Sequence, residues 1–172
     1  MRLHLLLLGL VSLLSGCGGS SPLAPSPVAS PQPTFPSLIG GWVGTYTSNI
    51  NIPNVSGGSG SGGCSISWIV TNQTAGQFSG TWQLTGGFGQ ATGCGSSGNL
   101  SGAVTSSGAI TNLSFATSVG PLPVCASLSS TGYSGTATAT SVNASATERW
   151  SCTSGSITVV ADVGRVLALT KR

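Results

Sequence analysis

Between residues 38 and 172, apolar side chains recur at every second position in short runs, and no stretch repeats them at the spacing of an amphipathic helix. In 64–70, Cys64, Ile66, Trp68 and Val70 share one face of an extended chain, while Ser65, Ser67 and Ile69 share the other. After a turn predicted within 72–76 the alternation resumes, with Phe78, Gly80, Trp82 and Leu84 opposed to Ser79, Thr81, Gln83 and Thr85. Leu100, Gly102 and Val104 alternate with Ser101, Ala103 and Thr105. Tyr133, Gly135, Ala137 and Ala139 alternate in the same way with Ser134, Thr136, Thr138 and Thr140. The pattern predicts about eight to ten short strands, joined mostly as hairpins, with one face apolar and the other covered by hydroxyls. Residues 55–63, glycine and serine almost throughout, are predicted as a hairpin loop.

An echo recurs at three strand starts: Phe78-Ser79-Gly80-Thr81, Leu100-Ser101-Gly102-Ala103 and Tyr133-Ser134-Gly135-Thr136. A glycine on the inward face makes room for a neighbouring ring or lets a strand bend as the sheet curls, and both suit a barrel. The expected fold is therefore all-β, a small antiparallel meander closed into a barrel, with a β-sandwich as the alternative. Closure also removes edges, which matters for strands with almost no charge to guard them. A membrane-spanning barrel needs strands of about 9 to 11 residues with an apolar outer side, and the alternating runs are mostly shorter.

The first residues change the picture from a domain to a domain on a leash. Residues 5–14 are apolar but too few to span a bilayer, which takes about 20, and they have the form of a secretory signal core. Leu14-Ser15-Gly16-Cys17 follows and resembles the lipobox of bacterial lipoprotein signal peptides. The resemblance implies cleavage between Gly16 and Cys17, a diacylglyceryl group on the Cys17 thiol, and an acyl chain such as palmitate on the new amino group. With Gly18 rather than an acidic residue next, it implies outer-membrane delivery where the cell has an outer membrane. The three chains would make dissociation negligible, since two already anchor stably. Residues 18–37 then carry Pro22, Pro25, Pro27, Pro31, Pro33 and Pro36 among Gly and Ser, a composition that favours extended geometry and offers little to pack. The division is a signal peptide over 1–16, a lipidated disordered tether over 17–37, and an all-β domain over 38–172.

Charge is scarce. Only 4% of the residues are charged, so solubility rests on hydroxyls and backbone. After removal of Arg2, the cations Arg149, Arg165, Lys171 and Arg172 face Glu148 and Asp162, leaving +2. No cluster of basic residues exists to displace counterions, so nucleic acid is not an expected partner. The only histidine, His4, lies in the signal segment. That removes Ser-His-Asp and Cys-His machinery and histidine metal sites, and no Cys or His pair has zinc-ligand spacing, so no metal and no cofactor beyond the covalent lipid is expected. With two carboxylates and no recognisable signature around them, an enzyme is not expected.

Cys64, Cys94, Cys125 and Cys152 remain, an even number in an exported chain, which reads as two disulfides. Three pairings are open. Cys64 with Cys94 and Cys125 with Cys152 is the preferred set because it closes local loops.

Trp42, Tyr46, Trp68, Phe78, Trp82, Tyr133 and Trp150 are expected to point inward, and alternation puts Glu148 on the side of Trp150. They serve either as plain core, with Glu148 at the rim or paired to Arg149 or Arg165, or as a ligand-lining set of Trp42, Trp68, Trp82, Glu148 and Trp150 in a barrel mouth. Gly40-Gly41-Trp42 at the first strand resembles the Gly-x-Trp start of the calycins, the lipocalins and avidins. The resemblance implies an up-and-down barrel whose Trp42 closes one end, with Arg165 as the basic residue offered from the last strand. The groups with which avidins hold biotin have no counterparts. The expected function is a membrane-anchored envelope lipoprotein displaying a non-catalytic β-domain with a structural, adhesive or protein-binding role. The alternative is a carrier of a small apolar or sugar-like ligand.

Overall fold

The computed structural model describes residues 32–89, 94–115 and 125–172. The expected signal peptide, Cys17 and nearly all of the expected tether lie outside the described residues. The nine strands are β1 (Gly40–Asn51), β2 (Ser59–Thr74), β3 (Gln77–Gly89), β4 (Ser97–Val104), β5 (Ala109–Phe115), β6 (Cys125–Ser130), β7 (Tyr133–Ala137), β8 (Ser141–Ser154) and β9 (Ile157–Lys171). All pairings are antiparallel.

Neighbours along the chain are neighbours in the sheet from β1 to β5; β7 then pairs β5, β8 pairs β7, and β9 pairs both β8 and β1. Eight strands thus close a barrel of meander topology, and the sandwich alternative is set aside. The extra strand, β6, pairs β8 over Cys125↔Cys152 to Ser130↔Glu148, beyond the part of β8 that pairs β7. β6 and β7 therefore lie in succession along one side of β8. The break between them falls at Thr131-Gly132, where Gly132 has φ of 69°.

The strands are not all short. β1, β2, β3, β8 and β9 have 12, 16, 13, 14 and 15 residues. The predicted 55–63 loop shrinks accordingly, because Ser59 to Gly63 extend β2 and pair with Thr47 to Asn51. Residues without side-chain bulk leave no alternation to read, yet their backbones pair as well as any. At the next hairpin the turn is only Ala75-Gly76, with φ of 48° and 82°, the two left-handed residues of a tight hairpin turn. Asn72, Gln73 and Thr74 belong to β2. Ala139, expected inward, is exposed in the turn between β7 and β8.

The inward set is otherwise as alternation demands: Ile66, Trp68, Val70, Phe78, Trp82, Leu84, Leu100 and Val104 are all buried. Strand length no longer argues against a membrane barrel, but the outer wall does. Ser65, Thr71, Ser79, Thr81, Gln83, Asn99 and Ser101 face out from β2, β3 and β4 as exposed polar groups, and although Ile69 on β2 and Val166 on β9 are exposed among them, this is not the continuous apolar band of a lipid-facing surface. The echoed glycines divide as the barrel requires. A side chain at Gly80 or Gly135 would collide with the backbone of the adjacent strand at Ile69 or Asn143, whereas one at Gly102 would strike the Phe78 ring.

One end of the barrel is made by the tight turns after β2, β4 and β7, and the chain arrives there. Gln73 holds the arriving segment, with Nε2 donating to Pro36 O at 2.8 Å and Oε1 accepting from Leu38 N at 2.7 Å. Leu38 is 1% exposed and seals that end. The opposite end carries the 52–58 connection and both disulfides, Cys64–Cys94 and Cys125–Cys152, the preferred pairing.

Candidate functional site

The five residues expected to line a mouth fall into two groups. Trp42, Trp68 and Trp82 are direct cross-strand partners on β1, β2 and β3, forming one row of indoles on the inner face. Each is at most 3% exposed. The row is extended on one side by Lys171, the register partner of Trp42, whose Nζ stands 5.4 Å from the Trp42 ring centroid. On the other side it meets Gly98, the partner of Trp82, where a Cβ would press on the indole. Trp42 Nε1 donates to Leu38 O at 2.7 Å, and Trp82 Nε1 to Asn99 O at 3.0 Å. Trp68 Nε1 is buried with no acceptor among the described residues.

The basic residue that stands against Trp42 is Lys171, and Arg165, offered for that place from the sequence, does not reach it. Both lie on β9, but Arg165 is three residue pairs further along the inner face, opposite Ser48 rather than Trp42. Only the register could decide between them.

Glu148 and Trp150 belong to the second group, a polar layer built on Arg165. Arg165 is 4% exposed although it carries a guanidinium. Its Nη2 lies 2.9 Å from Glu148 Oε2, and its Nη1 donates to Tyr46 Oη at 2.6 Å and to Ser48 Oγ at 3.3 Å. Trp150 Nε1 donates to the same Glu148 Oε2 at 2.9 Å, and Tyr133 Oη donates to Tyr46 Oη at 3.2 Å. Strands β1, β7, β8 and β9 thus each supply one or more members of a single network. Burial alone would lower the basicity of Arg165, but Tyr46 and the carboxylate of Glu148 outweigh it and hold the guanidinium above its ordinary pKa. Burial first, and then the neighbouring Tyr46, push the Tyr133 phenol well above its ordinary value.

Of the two partners open to Glu148, Arg165 takes it. Arg149 alternates to the outer wall and pairs there with Asp162 at 3.4 Å. The two carboxylates consequently sit on opposite sides of the barrel wall, each beside a cation, and do not face one another across a space where a bond could be cleaved.

Phe115 joins the two groups. Its ring lies 5.7, 5.8, 6.0 and 4.6 Å from the rings of Tyr46, Trp68, Trp82 and Tyr133. Phe115 is not among the residues expected to point inward from the sequence, although the Leu113-Ser114-Phe115 alternation is a signal for it. A left-handed Asn112 and a register shift between Ile110 and Leu113 interrupt β5 just before, which hides the period. Shallow clefts lined by described residues lie on the outer wall, for instance over Ser67, Thr81, Gln83, Ser97 and Asn99. No protein-family model, curated protein or solved structure matches this chain.

Proposed function

We propose that this chain is an envelope lipoprotein anchored through lipid on Cys17, whose barrel is a calycin-like, non-catalytic module held away from the membrane to bind a partner by its outer surface. One observation favours surface over interior: Phe115 packs at the junction of Tyr46, Trp68, Trp82 and Tyr133, so the rings of the inner face are spent on one another. The polar layer supports the same reading, because Arg165, Glu148 and Trp150 bond to one another inside the wall.

The described chain enters the barrel at Leu38, which bonds to Trp42 at the end opposite the disulfides, so in this reading the tether leaves both the outer wall and the disulfide-bearing end open to a partner. The near-absence of charge on the wall and its cover of Ser, Thr and Asn suit a neutral polar environment rather than nucleic acid or a phosphate-rich surface. The carrier reading is tested by titrating the detergent-solubilised protein with an environment-sensitive apolar dye while following tryptophan emission. The surface reading expects no saturable quenching of the buried tryptophans. Saturable one-to-one quenching, abolished by Phe115→Trp, would return the interior to use as a ligand site.

A further inference from the structure

Gly164 stands in the middle of β9, paired with Asn49 on one side and Thr147 on the other. Its conformation is not left-handed, and a Cβ added there would meet nothing within 4 Å. Gly80 and Gly135 are imposed by the neighbouring backbone; Gly164 is imposed by nothing in the fold. A mid-strand glycine weakens the strand and often marks a bulge, a tight bend or close approach by a ligand or another backbone; β9 passes Gly164 with no register shift on either side, so a bulge is not its reason.

The space above Gly164 is a groove of about 490 Å³ crossing β1, β9, β8 and the junction of β6 with β7, a size that suits small ligands. Two adjacent cross-strand rows line it. One runs Asn49, Gly164, Thr147, with Thr147 N donating to Thr131 Oγ1 at 3.0 Å; the other runs Asn51, Asp162, Arg149, Ser129. The side chains are mainly amides and hydroxyls, with Val163, the half-exposed ion pair of Arg149 with Asp162, and Glu148, whose carboxylate is taken by the buried Arg165. Donors and acceptors therefore surround a bare peptide floor, and each charged side chain at the groove has its counter-ion.

We propose that this groove binds a neutral saccharide. A sugar ring can lay a C–H face on the glycine floor while its hydroxyls, each donor and acceptor at once, pair with Asn49, Asn51 and Thr147 and bridge the Asp162 carboxylate and Arg149 guanidinium. An anion in the same place would meet Asp162, and a cation would meet Arg149, so the compensated pair selects for uncharged polyols. The groove lies in the half of the barrel remote from Leu38, clear of the segment by which the chain enters the barrel. This inference rests on the outer wall being the binding surface, but not on the lipid.

The test is titration of the full-length protein, in a detergent without a sugar headgroup, with neutral mono- and disaccharides and with glucuronate as the charged control, followed by amide chemical shifts. At least one neutral sugar should give saturable shifts centred on Asn49, Thr147 and Gly164, and Gly164→Val should weaken it tenfold or more while leaving the thermal midpoint unchanged or higher. Asn49→Ala, which trims an exposed side chain, provides the same comparison if the valine disturbs folding. Absence of saturable binding at millimolar sugar, binding unaffected by both substitutions, or equal binding of glucuronate would each overturn the assignment. Because the readout is indifferent to acylation, a failure here is separable from a failure of the anchor, and dye quenching of the interior tryptophans separates it from the carrier reading.

Discussion

Arg165 Nη2 and Glu148 Oε2 stand 2.9 Å apart with their side chains only 4% and 14% exposed, making a buried ion pair inside a barrel whose other inward residues are almost all apolar. Removing either charge strands the other where water cannot replace it. Glu148→Ala should lower stability by about 3 kcal/mol, the usual cost of leaving a buried partner uncompensated, whereas Glu148→Leu with Arg165→Met should recover most of the loss. Urea denaturation of the single and double variants measures both. Equal destabilisation by single and double variants would mean that the pair is worth more than its packing.

The raised Tyr133 phenol gives the alkaline limb of the stability curve its sign. Below about pH 10 both folded and unfolded chains keep this proton, and the contribution is fully present. Above it the unfolded chain loses the proton first, so stability falls by up to about 1.4 kcal/mol per pH unit from this group. Tyr133→Phe should flatten that limb, a change visible in denaturation midpoints collected from neutral to alkaline pH.

Ala75 holds a left-handed φ of 48° next to Gly76 in the β2–β3 turn. Alanine resists that region, while asparagine accepts it and is favoured in such turns. Ala75→Asn should therefore raise stability by roughly 0.5 to 1 kcal/mol, read as a higher thermal midpoint.

The arriving segment depends on one amide. Gln73 satisfies both Leu38 N and Pro36 O, and Leu38 is buried beneath it. Gln73→Ala should cost about 1 to 3 kcal/mol by leaving these groups unmet. Faster amide exchange at Leu38 and at the Trp42 indole, which donates to Leu38 O, would report the loosening directly.

Each disulfide closes a loop, with sequence separations of 30 and 27. Replacing either pair with serine should cost about 3 kcal/mol in the chain-entropy account. Non-reducing peptide maps should return Cys64 linked to Cys94 and Cys125 linked to Cys152.

Much of this fold was legible in the alternation of Ile66, Trp68, Val70 and of Phe78, Trp82, Leu84, because one buried face fixes which residues point inward. Of the echoed glycines, Gly102 makes room for the Phe78 ring as the pattern suggests, whereas Gly80 and Gly135 are required by the backbone of the adjacent strand. Register was not legible. Whether Lys171 or Arg165 meets Trp42 depends on a pairing between the first and last strands, and local pattern carries no record of it. Phe115 escaped because a bulge breaks the period before it. The Gly164 groove escaped because a missing side chain becomes informative only when its surroundings are known.

The envelope-anchored role proposed for the barrel depends on Cys17 being the lipidated first residue of the mature protein. Intact-mass and peptide mass spectrometry of the protein extracted from the membranes of its own cells tests this most directly. The predicted result is an N-terminal peptide beginning at Cys17 and carrying a diacylglyceryl group and an amide-linked acyl chain. A mature chain that starts elsewhere, or starts at Cys17 with a bare thiol and amine, would contradict it.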